Sequence, residues 1–149
     1  MDRKQELLEV ERSRWREFHD LVDRIPSDRM EDPTLNAEGW SVKDLLWHMR
    51  SWNVVIADQL GKIEAGAFED FDWNTDENNA RFLEEGRRMD PVSVRAELVV
   101  SREHAVRAMA ALMEVPPHAE ELFSETAFKH IDDHLPELHR FADRVAGAA

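Results

Sequence analysis

The chain has 149 residues, of which 42% are hydrophobic and 34% charged, and carries a formal net charge of -13 at pH 7. This describes a globular chain long enough for one domain, residues 1–149, with its own core, whose negative surface repels nucleic-acid phosphates and anionic lipid heads; neither is an expected partner. There is no cysteine, so disulfides, a thiolate nucleophile and thiolate metal ligands are excluded, and a bound metal must take nitrogen and oxygen ligands.

Leu8, Trp15, Phe18, Val22 and Ile25 recur at helical spacing and predict a first helix over Asp2–Ile25, stopped by Pro26-Ser27-Asp28. Glu31 to Gly39 is rich in turn formers and reads as loop. Ser41, with Asp44 three residues on, is a capping-box start. Val42, Leu45, Met49, Trp52, Ile56, Leu60 and Ile63 share one face of the helix that follows. The aromatic and acidic stretch Ala67–Asn74 reads as a lid or as a connection that caps the core. Thr75 before Asp76 and Glu77 opens a short helix to about Arg88. Asp90-Pro91 opens a third long helix to about Met113, with Val94, Leu98, Ala105, Met109 and Leu112 inward. Pro116-Pro117 breaks it, and a last helix is expected from Ser124 to Val145. Its stripe is Ala127, Ile131, His134, Leu138, Phe141 and Val145, with Pro136 expected to bend it just past His134.

No strand-like alternation and no internal repeat interrupts this pattern. Four long amphipathic helices of about 20 residues, each about 30 Å long, predict an all-α four-helix bundle with a short extra helix before the third long one. The long connections after the first and second helices argue against a simple up-down array. The most apolar stretch, Leu45 to Leu60, is broken by His48, Arg50, Asn53, Asp58 and Gln59, too polar to span a bilayer. The first residues do not read as a signal peptide, so the cytoplasm is the expected location.

Three histidines carry the chemistry. His130 and His134 are four apart, stacked one helical turn from each other, and His48 sits at the edge of the apolar stripe between Leu45 and Trp52. If the second and last helices pack together, three neutral nitrogen ligands converge, with positions left open for water or substrate as in catalytic sites. The alternative is a polar cluster of partly exposed imidazoles. His19, His104, His118 and His139 read as surface residues. Asp44, four before His48, either supports its ring or completes the Ser41 cap, and the cap is the favoured reading. Glu103 lies off the inward face of the third helix, and Asp132 and Asp133 read as solvated. Trp15 and Trp52 fit core positions, and Trp40 fits a hydrophobic staple before Ser41. Trp47 and Trp73 either wall a pocket, sit at a subunit interface or pack ordinarily.

From Trp40 to His48, through Trp73-Asn74 and Asn79, and in His130-Ile131-Asp132-Asp133-His134-Leu135-Pro136, the chain resembles the DinB-like superfamily, most of all its ClbS/DfsB-type branch, related to maleylpyruvate isomerase N-terminal and YfiT-type proteins. The resemblance covers nearly the whole chain. It implies an up-up-down-down bundle, often dimeric, and a divalent metal, zinc or nickel, held by His48, His130 and His134. It also implies, for some relatives, a low-molecular-weight thiol as co-substrate. The absence of tyrosine departs from the aromatic hydroxyls available in relatives.

The expected function is therefore that of a metal-dependent transferase or hydrolase acting on a small electrophile, a cytoplasmic homodimer used in detoxification or self-resistance. A bundle that binds or sequesters a small molecule without turnover, and a dimeric scaffold, are the rival readings.

Overall fold

The computed structural model describes residues 2–147. Every regular element among them is helical: α1 (Arg3–Asp23), a 3-10 turn (Ser27–Arg29), α2 (Val42–Glu64), α3 (Thr75–Arg87), α4 (Pro91–Ala111), α5 (Pro117–Phe123) and α6 (His130–Gly147). A π-helical segment, Ser124–Lys129, joins α5 to α6, so the last rod is helical without a break from Pro117 to Gly147. No described helix is long and apolar enough to cross a membrane.

The caps explain the boundaries. Asp2 and Ser41 both form capping boxes, with Gln5 and Asp44 as the returning partners. The Asp90 side chain accepts from the Ser93 N–H, and Pro91 takes the first helical position, where no N–H is needed. Thr75 opens α3 as expected, behind Asn74 in left-handed conformation at φ 44°. One start differs from expectation. The last rod starts at Pro117, seven residues before Ser124, because a proline that ends one helix is equally suited to open the next. The rod continues through Pro136.

α2 is the hub. Every residue from Val42 to Met49 is buried, because α2 lies against α4, α3, α5 and the π segment. Over these first two turns the helix has no solvent face, and its exposed residues, such as Val54 and Asp58, come later. Trp47, off the apolar stripe, is therefore packed rather than exposed. It fills the space where α3 carries Gly86, and a Cβ there would come within 2.7 Å of the indole. Lys43 is buried too, its ammonium donating to Glu31 and to the Met89 carbonyl, both at 2.8 Å. α1 closes the other side of the bundle against α6, the π segment and α4.

The core falls into two apolar clusters. One gathers Phe18, Leu45, Leu46, Val94, Leu138 and Phe141, and the other Leu7, Ile56, Leu60, Met109, Leu122 and Phe123. Along each long rod the passage from one cluster to the other crosses a polar residue: Glu11 on α1, Asn53 on α2, Ser101 and Arg102 on α4, His130 on the last rod. Glu11 is only 2% exposed and is gripped by Arg102 through two bonds of 2.9 and 2.5 Å.

Candidate metal centre

The last rod presents its polar residues to α2 at the waist of the bundle. Regular α geometry drifts by about 40° for every four-residue step. Glu121, Glu125, His130 and His134 would then fan around the rod. The π segment widens one turn and takes back about 100° of that drift, so all four line one cavity with His48.

Within it the three predicted histidines meet. His130 Nε2 lies 2.9 Å from His48 Nε2 and 3.2 Å from His134 Nε2. Three ligand nitrogens, one from each ring, all lie within 4.8 Å of one another. His134 Nδ1–H donates to Glu137 Oε1 at 2.7 Å, and this leaves the His134 Nε2 lone pair facing the other rings. His130 Nε2 holds either one proton or one lone pair. With neutral rings it cannot make good hydrogen bonds to both neighbours at once. A shared cation relieves both contacts. Four-coordinate zinc, with bonds of about 2.05 Å, needs nitrogens roughly 3.3 Å apart, close to the spacing found. The donor set therefore fits a divalent ion of the zinc or nickel kind.

Electrostatics keep the rings available. Burial first, then the neighbouring His134, lowers the His48 pKa from 6.5 to about 4. Burial likewise lowers His130 well below its ordinary value, helped by His48 and His134. Neutral imidazole is the form that ligates a metal. His48 is 5% exposed, and its Nδ1 has no partner. Asp44 does not supply one. Its Oδ2 accepts from the Ser41 N–H at 2.9 Å, completing the cap.

The cavity measures about 580 Å³. Trp40, Trp52 and Trp73 wall it, and Trp40 packs edge-on against His48 with ring centroids 5.1 Å apart. Trp52 Nε1–H donates to Asn79 Oδ1 at 2.8 Å, fixing both side chains in the wall. Trp73, from the connection before α3, stacks at an angle on Phe71 and Trp52 and so belongs to the wall.

The remaining candidates lie elsewhere. His19 and His139 pair with Asp23 and Glu17, His118 stacks on Phe68, and His104 and Glu103 are exposed. Asp132 is exposed and bridges to Arg14, and Asp133 is exposed. Glu137 was missed from the sequence, although its position three residues after His134 was a usable signal. Glu121 and Glu125 were missed because α5 and the π segment were not foreseen.

A helical fold with an open tri-histidine cluster at its waist defines the class: a bundle built around a polar, solvent-reachable centre. The chain matches the family model of the mycothiol maleylpyruvate isomerase N-terminal domain over residues 12–122 and belongs to that family, a part of the DinB-like superfamily. His48 falls inside the matched span, while His130 and His134 lie beyond it. No curated protein and no solved structure matches the chain.

Proposed function

We propose that the chain is a metal-dependent enzyme in which His48, His130 and His134 hold zinc or nickel and which transforms a small electrophile, by transfer of a low-molecular-weight thiol or by hydrolysis. The observation that carries this reading is the meeting of three Nε2 atoms around His130, at 2.9 and 3.2 Å, on the wall of a 580 Å³ cavity. The family supports it, since its description names a mycothiol-linked isomerase. With no cysteine of its own, the chain must take its thiol from solution.

A divalent ion, when bound, supplies the positive charge that lowers the pKa of a thiol or water and stabilises negative charge on the electrophile. The chain's own residues do the rest. Glu137 holds His134 in the tautomer whose Nε2 faces the centre. Burial of His48 keeps it unprotonated at neutral pH. The tryptophan walls give the open cavity an apolar side, and charge interactions against that side are stronger than in free solution.

In the same reading, residues 1–149 form one domain, an up-up-down-down bundle of the ClbS/DfsB-type branch. The protein is a cytoplasmic homodimer that acts in detoxification, with neither nucleic acid nor membrane as partner. Elemental analysis of protein purified without chelator or affinity tag tests the core claim. About one zinc or nickel per chain is expected, with zinc-dependent thermal stabilisation that His130→Ala abolishes. Metal-free protein that neither ion stabilises overturns it.

A further inference from the structure

The cavity beside the histidines has a one-sided charge. Three carboxylates line it, Glu38 from the loop before α2 and Glu121 and Glu125 from the last rod. No lysine or arginine lines it among the described residues. Glu125 pairs with Lys129 at 2.8 Å, and the Lys129 charge also reaches Glu121, while neither Glu38 nor Glu121 forms an ion pair of its own among the described residues. With Lys129 set against Glu125, the other two carboxylates balance the two charges of a divalent ion, so the filled cavity is near neutral overall but keeps separate ends, positive at the histidines and negative along Glu38, Glu121 and Glu125. The other walls are indole. Trp40, Trp52 and Trp73 face the same space, and tryptophan is the side chain that attracts cations best through its ring face. The deep end is His48, 5% exposed, with one ring nitrogen unpartnered and the other in the cluster.

Resting on the metal-dependent reading above, we propose that the electrophile this cavity accepts carries a protonated amine on an apolar or aromatic body. The reacting carbon lies at the histidines and the ammonium lies along the last rod toward Glu125 and Glu121. The five and nine residues that separate these from His130 put the two ends of the ligand about 7–13 Å apart at the rise of a helix. A dicarboxylate such as maleylpyruvate, named in the family's description, meets the wrong sign of charge here. The cavity is expected to disfavour an anion at its carboxylate end by repulsion and desolvation.

Three small probes of one shape separate the charges: phenethylamine, phenethyl alcohol and phenylacetate. Each is titrated into zinc-loaded and metal-stripped protein, with fluorescence of the wall tryptophans as the readout. The amine is expected to bind about tenfold tighter than the alcohol, with phenylacetate weakest on metal-stripped protein. Glu121 and Glu125 are exposed, so the double variant Glu121→Gln/Glu125→Gln folds normally, and it is expected to erase the advantage of the amine. The proposal is overturned by phenylacetate binding as tightly as the amine to metal-stripped protein, by no saturable binding of the amine, or by an amine preference that survives the double substitution. A separate zinc titration without probe keeps the two readings apart. An amine preference in protein that takes no zinc sinks the metal reading alone, and zinc binding without amine preference sinks this one alone.

Discussion

Two places in this bundle take polar groups out of water, and they treat them in opposite ways. At Glu11 the carboxylate is 2% exposed and both its oxygens are met by Arg102 across the gap between α1 and α4. Nothing is left over for a ligand. At the histidines His48 Nδ1 has no partner, and the three rings crowd together in a way that neutral imidazoles cannot satisfy. A polar group that only holds the fold together is paired inside it, because an unpaired one costs about 1–3 kcal/mol. A missing partner alone does not mark a site, since Asp44 Oδ1, Trp47 Nε1 and Gln59 Oε1 are also buried without one; what marks the histidines is three ring nitrogens converging on the wall of an open cavity. That convergence separates site from scaffold more sharply than burial does, since Glu11 and His48 are both buried while His130 and His134 are half-buried.

Substitution at each place should therefore move a different quantity. His130→Ala removes the ring that touches both others. It is expected to lower zinc affinity by at least a hundredfold, about 3 kcal/mol or more, while the metal-free protein keeps its denaturation midpoint. Calorimetric zinc titration beside urea unfolding checks both halves, and a large loss of metal-free stability would dissolve the contrast. Arg102→Ala leaves the Glu11 carboxylate buried and alone. It should destabilise by about 2–3 kcal/mol in urea melts and leave zinc affinity unchanged, discounted from a fully buried pair because the Arg102 side chain is 21% exposed.

A finer test lies within the centre. Glu137→Gln removes a charge but leaves an acceptor at His134 Nδ1, and zinc affinity should fall about tenfold with little change in fold stability. The smallest effect is on pH. His48 has a folded-state pKa of about 4 against an ordinary 6.5. Between these values the unfolded chain binds the proton and the folded one does not, so stability falls as pH drops through that window and is constant above it. Metal-stripped protein should lose roughly 1 kcal/mol from this residue between about pH 6.5 and 5.5, with His130 adding in the same direction. His48→Ala should flatten that slope. Arg102→Ala should not.

Local signals were legible in the sequence and distant ones were not. The Ser41/Asp44 box and the Asp90-Pro91 start are chemistry within four residues, and both helices begin where those signals point. The triad was legible as spacing, His130 to His134, plus one histidine on another helix whose approach was an assumption about packing. Glu11 was not legible. It is one acid among many on α1, and its burial depends on an arginine 91 positions away. Trp47 was ambiguous for the same reason, because the glycine that makes room for it lies on α3. The last rod was started too late because a proline pair reads as an ending when only the chain before it is considered.

The wide turn at Ser124–Lys129 holds one residue more than α geometry would, so the phase of everything after it hangs on a single peptide unit. Removing one residue there restores the tighter winding and swings His130 and His134 together by about 100° around the rod. Both rings would leave His48, though no imidazole had been altered. The centre is thus written in the length of the chain as well as in its letters, and a lost codon in that turn would silence it as thoroughly as a lost histidine.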